Sequence, residues 1–261
     1  MTRLAICGAT GRMGAALLRL AAARGDVSVS GGIARSGTRI GELPVTAIAD
    51  AATLLGDVDA VIDFSTPAAT AELVRQVRSV GGPGAVVIGT TGLDASVERE
   101  LDALASHAAV LVAANFSIGV NLLLALTERV SSVLPADSFD IEIVEAHHRR
   151  KADAPSGTAL ALGAAAARGR GAPFDRLRRD GRSGATGARP RGEIGLHAVR
   201  GGGITGEHRV LFAAEQEVLE LRHEALTRDV FAHGALEAAR WLAGREPGRY
   251  TMQQMLRLQV E

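Results

Sequence analysis

The 261-residue chain lacks several things, and each absence excludes a kind of protein. It has one cysteine, Cys7, so no internal disulfide can form, and a reducing compartment suits it. It has no net charge, 29 Lys and Arg against 29 Asp and Glu, so no long-range field steers it onto nucleic acid or an anionic membrane. Aromatic residues are 3% of the chain. The arginine- and glycine-rich tract 168–191 has no aromatic platform but Phe174, which speaks against single-strand RNA binding and leaves a mobile loop as the reading. No charge-free apolar run reaches the roughly 18 residues of a membrane span. The apolar start at 4–6 is broken by Gly8, Gly11 and Gly14, so the continuous core of a signal peptide is missing. A soluble, cytoplasmic protein that binds neither membrane nor nucleic acid is expected.

What the chain does have is core material: 47% hydrophobic residues with 22% charged, enough for one large domain or two modest ones. Over the first 117 residues short apolar runs at 4–6, 27–33, 60–64, 85–88 and 110–112 alternate with helix-spaced segments at 12–24, 68–80 and 95–106. Such alternation predicts βαβ units and a parallel, doubly wound Rossmann-type sheet of the α/β class. The rhythm then changes. A long apolar helix pattern covers 118–134, a strand lies near 139–145, and a helix opens at Ser156. Strand-like runs at 193–199, 207–212 and 217–222 follow with little helix between them. The expectation is a C-terminal α+β domain with an open mixed sheet over 118–227. A tail, 228–261, with helix at 229–242, packs back on the first domain.

Gly8-Ala9-Thr10-Gly11-Arg12-Met13-Gly14 follows the first strand and opens the first helix. Glycines there allow a tight turn and close backbone approach to a pyrophosphate, and the helix N-terminus adds its positive dipole end. Thr10 stands where the usual fingerprint has its second glycine. About 20 residues on, where NAD sites place an acid for the ribose, the second strand ends in Ala34-Arg35-Ser36. Arg35 suits a 2′-phosphate, which favours NADPH over NADH; the other reading is a solvated loop charge. Gly89-Thr90-Thr91-Gly92 and Ala113-Ala114-Asn115-Phe116-Ser117 sit at the ends of later strands, where open α/β sheets bind ligands, and leave room for a ribose and a flat ring.

The densest chemistry lies at 145–158, where His147, His148 and Lys151 precede a helix start at Pro155-Ser156. Ser156 reads as N-cap, and Gly157 and Thr158 present first-turn N–H groups and a hydroxyl to an anion. A carboxylate there, with a second one near the basic cluster, would be doubly compensated, and a histidine can exchange a proton beside a hydride-accepting carbon. Adjacent histidines rarely share one metal ion and no other ligand cluster is evident, so no metal site is expected. A solvated basic loop is the bland alternative.

With E-A-H-H-x-x-K-x-D-A-P-S-G-T-A at 145–159, G-A-x-G-R-M-G at 8–14, G-T-T-G at 89–92, A-A-N-F-S-x-G-V-N at 113–121 and G-E-H at 206–208, the chain resembles the 4-hydroxy-tetrahydrodipicolinate (dihydrodipicolinate) reductase family of lysine and diaminopimelate synthesis. The resemblance runs in order over almost the whole chain. It implies NAD(P)H-dependent reduction of a cyclic dicarboxylate, with loss of water from the hydroxylated substrate. It also implies a homotetramer joined through the C-terminal sheets. His147 would donate or accept a proton and Lys151 would be a second proton donor. His148, Gly157 and Thr158 would bind the substrate carboxylates. Gly8, Ala9, Thr10, Gly11, Arg12, Met13, Gly89, Thr90, Thr91, Ala113, Ala114, Asn115 and Phe116 would meet the cofactor. Many relatives carry an acid before the arginine after the second strand, and here Ala34 stands there. The alternatives are another imine or amino-acid dehydrogenase, or a non-catalytic NAD(P)H sensor. No G-x-S-x-G elbow or Walker lysine supports a serine hydrolase or a P-loop nucleotidase.

Overall fold

The computed structural model describes residues 1–258, so 259–261, the end of the expected returning tail, lie outside the described residues. The chain forms two compact units, Met1–Ser117 with Asp229–Arg257 and Ile118–Arg228.

The first unit opens with β1 (Thr2–Cys7), α1 (Arg12–Ala22), β2 (Val27–Ala34), β3 (Thr38–Ile40), β4 (Leu43–Ala47) and α2 (Ala52–Gly56). It continues with β5 (Ala60–Asp63), α3 (Pro67–Val80), β6 (Ala85–Ile88), α4 (Ala95–Leu104) and β7 (Ala109–Val112). The second unit holds α5 (Ile118–Val133), β8 (Asp140–His147), α6 (Gly157–Gly169), α7 (Phe174–Leu177), β9 (Arg178–Asp180), β10 (Ile194–Arg200), β11 (Glu207–Ala213) and β12 (Val218–Glu224). The chain then returns to the first unit with α8 (Asp229–Leu242), β13 (Gly248–Tyr250) and α9 (Met252–Met255).

In the first unit the sheet runs β13-β7-β6-β5-β1-β2-β4-β3, parallel except for the β3–β4 hairpin. Its central strands are apolar on both faces, which is why they read as continuous runs. Leu4 and Ile6 point into a cluster with Leu17 of α1 and Ala235 and Leu236 of α8. Ala5 and Cys7, one step along, join Leu55, Leu73, Val74 and Leu101 of α2, α3 and α4 on the other face. The α/β expectation holds, with Rossmann-type layering. β1 is followed in the chain by β2 on one side and has β5 on its other side, so the carboxyl ends of β1 and β5 form a topological switch point, where such sheets leave a crevice.

The second unit's sheet runs β12-β11-β8-β10-β9; β8–β10–β9 pair in parallel, and β11 is antiparallel to both its neighbours. It is the expected mixed sheet. Ile141, Ile143, Leu196, Val210 and Phe212 face Leu123 of α5 and Leu162 and Ala166 of α6. Residues 145 and 147 share the helix-facing side of β8 with Ile141 and Ile143, because side chains alternate along a strand.

The tract 168–191 is only partly the loop that its composition suggested: its first part is built into elements, and 181–191 is the loop that leads on to β10. α6 runs through Arg168 to Gly169, α7 and β9 follow, and two of the arginines beyond them are anchored. Arg182 and Arg189 reach Glu142 at 3.0 and 2.7 Å, and Arg189 also binds Asp140 at 2.6 Å. Here the arginines are counter-charges for acids of β8, a pairing that composition does not reveal.

Candidate active site

Glu145 is the centre of the second unit's polar cluster. Its side chain is fully buried, yet it is held below the usual carboxylate range: burial raises it, and hydrogen bonds from Arg200, His147 and the Ser156 N–H more than offset that. Arg200 closes a two-pronged contact, Nη1 to Oε2 at 2.8 Å and Nη2 to Oε1 at 2.7 Å. The Ser156 N–H donates to Oε1 at 3.0 Å. His147 Nδ1 lies 2.5 Å from Oε2. An ionised carboxylate only accepts, so Nδ1 carries the hydrogen and Nε2 is the nitrogen left for chemistry. Strand register explains the assembly, since Arg200 pairs with His147 across β10–β8 and His208 pairs with Glu145 across β11–β8.

His208 stacks edge-on against His147, centroids 5.2 Å apart, and its Nε2 meets Ser156 Oγ at 3.3 Å. That serine is the N-cap of α6 and accepts from the Ala159 N–H at 3.2 Å. Gly157 and Thr158 therefore open the first turn, and a Cβ at Gly157 would meet nothing within 4 Å, so this helix tip faces open space. Lys151 Nζ contacts both oxygens of exposed Asp153 at 2.8 Å. His148 Nε2 lies 3.3 Å from Arg228. A guanidinium cannot accept, so Nδ1 of His148 carries the hydrogen; it is buried with no protein partner. Burial, then Arg150 and Arg228, push His148 down, which favours its neutral form. The fold thus gathers His147, His148, Lys151, Gly157 and Thr158 in one unit. Among the described residues no group of three or more His, Cys, Asp or Glu is placed to hold a metal ion.

Burial, and then the charge of His147, push His208 down to about 4. Its neutral form is the folded form. Between pH 6.5 and about 4 the unfolded chain takes up a proton that the folded one does not, so stability is full above pH 6.5 and falls as the pH drops through that window. The loss expected is on the order of 3 kcal/mol, from ~1.4 kcal/mol per pH unit. Urea titrations of the wild type and His208→Gln at pH 7 and 4.5 check it; equal pH slopes in the two proteins would contradict it.

In the first unit Gly8 to Met13 form the β1–α1 turn and the start of α1, Arg35 follows β2, Gly89 to Thr91 follow β6, and Ala113 to Phe116 follow β7. All lie at the carboxyl ends of parallel strands, hence on one edge of the sheet. The turn is built for close approach. Gly8 has φ +80° and a Cβ there would sit 2.3 Å from the Phe64 carbonyl oxygen; one at Gly14 would sit 2.4 Å from the Gly8 oxygen. Whereas α3, α4 and α6 are capped by Thr66, Asp94 and Ser156, α1 has Gly11 as N-cap and no side-chain cap. A bare helix start in a glycine cradle fits a dinucleotide pyrophosphate. Phe64 ties the edge together: its ring fills the space over Gly89 and meets Phe116 edge-on at 5.6 Å. Thr90 is mostly buried, with its hydroxyl on Asp63, and Asn115 Oδ1 accepts from the Ser117 N–H. Arg35 is exposed.

The residue-by-residue reading missed Glu145, Arg200 and His208 as site residues, and Asp63 and Phe64 in the first unit. Glu145 and His208 were in view inside the motifs E-A-H-H and G-E-H. Arg200 carries no local signal, because its partner is 55 residues away.

The family models for the N-terminus and C-terminus of dihydrodipicolinate reductase match residues 2–116 and 119–256. The chain is 45% identical to the 4-hydroxy-tetrahydrodipicolinate reductase of Caulobacter vibrioides, over 97% of this chain and 96% of the relative. It is 48% identical to that of Ruegeria pomeroyi, over 98% of each. Among solved structures, a dipicolinate-bound dihydrodipicolinate reductase from a Paenisporosarcina species aligns with TM-score 0.78 at 25% identity, covering 97% of this chain and 98% of that one. An engineered D-amino acid dehydrogenase bound to NADP+ shares the fold at TM-score 0.55 and 16% identity, over 100% of this chain and 96% of that one.

Proposed function

The chain belongs to the dihydrodipicolinate reductase family, and on that premise we propose that it uses a reduced nicotinamide dinucleotide to convert 4-hydroxy-tetrahydrodipicolinate into tetrahydrodipicolinate. One hydride and one proton enter the substrate, and one water leaves. The observation that carries the reading is the Glu145–His147 pair beside the open tip of α6, in the same unit as a lysine and a second histidine. A sensor without chemistry has no use for a buried carboxylate that orients an imidazole.

The first unit binds the cofactor. Arg12 and Met13, at the uncapped start of α1, hold the pyrophosphate through backbone N–H groups. Gly8, Ala9 and Gly11, whose own N–H groups are bonded to the Ile33 and Gly8 carbonyls, shape the turn with Thr10 so that the phosphates come close. Gly89 to Thr91 and Ala113 to Phe116 bound the ribose and ring. When bound, the dinucleotide supplies the hydride. The second unit binds the dicarboxylate. The Gly157 and Thr158 end of α6 takes one carboxylate, and His148 with the Lys151 ammonium takes the other. His147, oriented by Glu145, gives a proton from Nε2 to the atom beside the hydride acceptor, and Lys151 is the second donor. The enzyme serves lysine and diaminopimelate synthesis as a cytoplasmic homotetramer.

Supplying enzymatically made 4-hydroxy-tetrahydrodipicolinate and following the reduced-nicotinamide absorbance with each cofactor tests the activity; a flat trace with both removes it. NADPH is the better fit, because Arg35 ends the second strand's run and no acid precedes it. Arg35→Ala is expected to raise the KM for NADPH about tenfold, the worth of one charge-assisted hydrogen bond, and to spare that for NADH. Initial rates with both cofactors check this, and an unchanged NADPH KM would dismiss the phosphate contact.

A further inference from the structure

One buried ionisable group has no part in this mechanism. Asp63 ends β5 at the switch point with its side chain completely out of solvent. Its hydrogen-bond partners are neutral: the hydroxyls of Ser65 at 2.5 Å, Thr70 at 2.5 Å and Thr90 at 3.0 Å, and the thiol of Cys7. Burial pushes the carboxyl up, and these hydrogen bonds offset part of that. Burying a carboxyl with no cation beside it is costly, and packing alone would be served better by an apolar side chain. What a carboxyl offers is capacity. Two oxygens carry about four acceptor sites, which matches four converging donors.

Those donors come from four segments: β1, the turn after β5, α3 and the loop after β6. The backbone follows the same pattern. Ser65 N–H donates to Thr90 Oγ1 at 2.9 Å, Gly89 N–H to the Asp63 carbonyl at 2.8 Å, and Phe64 N–H to the Cys7 carbonyl at 3.1 Å. The Phe64 carbonyl and ring, one residue on, are the surfaces that Gly8 and Gly89 approach.

We propose that Asp63 is a positioning residue for the dinucleotide, its carboxyl fastening the Gly89–Thr91 loop to the turn after β5 and so holding in register the backbone on which the cofactor lies. The inference rests on the reading of the first unit as the cofactor site. The Thr90 hydroxyl, occupied by Asp63 and Ser65, acts through this clamp.

The test measures NADPH dissociation constants by fluorescence of the reduced nicotinamide, together with kcat and the dicarboxylate KM, for the wild type, Asp63→Ala, Asp63→Asn, Thr90→Val and the Asp63→Ala/Thr90→Val double variant. Removing the carboxyl leaves buried hydroxyls unpaired, so Asp63→Ala and Thr90→Val are each expected to weaken NADPH binding about tenfold. The double variant should be no weaker than the worse single one, since both break one clamp. Asp63→Asn keeps an oxygen for Thr70 and Thr90, while Ser65 can turn to the Thr66 carbonyl, 3.5 Å away, so binding should recover to within about threefold of the wild type. The dicarboxylate KM, set in the second unit, should not move. A merely structural role would lower the melting temperature and leave the NADPH constant of the folded protein intact, which overturns the proposal, as do additive effects or an Asp63→Asn as weak as Asp63→Ala. Should Asp63→Ala fail to fold, Thr90→Val decides alone, and an unchanged constant overturns it. A wild type that binds neither NADPH nor NADH would instead sink the cofactor reading itself.

Discussion

His147→Gln is expected to lower kcat by about 10²- to 10⁴-fold, the usual worth of a positioned general acid, while the NADPH dissociation constant stays where it was. The physical ground is the hydrogen bond to Glu145, which fixes Nδ1 as donor and leaves Nε2 to move the proton. Glutamine keeps the polarity and roughly the volume but cannot transfer a proton at neutral pH. The loss therefore falls on the transition state, and the dicarboxylate KM should change far less than kcat. Steady-state kinetics with a parallel cofactor titration read both quantities. A kcat within a few-fold of the wild type would mean that the proton comes from elsewhere, with Lys151 the first alternative.

The second large effect is on folding. Glu145→Ala leaves the Arg200 guanidinium without its two-pronged partner, and the Ser156 N–H and His147 Nδ1–H without acceptors. Breaking a buried pair by removing one partner costs about 3–5 kcal/mol, because the remaining charge stays behind. Urea unfolding is expected to show a loss of that size. Glu145 is held below its ordinary range, so its contribution is present above pH 4.5 and is lost as the pH falls through the lower folded value. The destabilisation by Glu145→Ala should accordingly shrink in acid. Glu145→Gln, which preserves the shape and one acceptor, should recover part of the stability and little of the kcat, since a protonated His147 loses its counter-charge. Equal recovery of both would make Glu145 a scaffold residue only. Combining Glu145→Gln with His147→Gln should cost no more turnover than His147→Gln alone, as for residues that act as a unit.

Much of the fold was legible because its signals are local. The apolar runs at 85–88 and the helix pattern at 229–242 coincide with β6 and α8, and Ser156 does cap α6. The short β3–β4 hairpin, β9 and β13 were not legible. These elements are three to five residues long, too few for a period of two or 3.6 to stand out, and edge pairing holds them in place.

The candidate site divides in the same way. Gly8 to Gly14 and the run from His147 to Thr158 depend on spacing within one turn of chain, where residue type and interval already state the chemistry. Glu145 with Arg200, Ser156 with His208 and Asp63 with Thr90 span 55, 52 and 27 residues. Which side chain meets which across such gaps depends on strand order and register. Those are settled by how whole apolar faces bury one another, and no window of sequence contains that information. The sequence by itself determined the layers, the glycine turn and the basic cluster before α6. Only the tertiary structure decided that His147 is steered by a buried glutamate, that an arginine from β10 compensates that glutamate, and that one carboxyl joins the loops at the switch point.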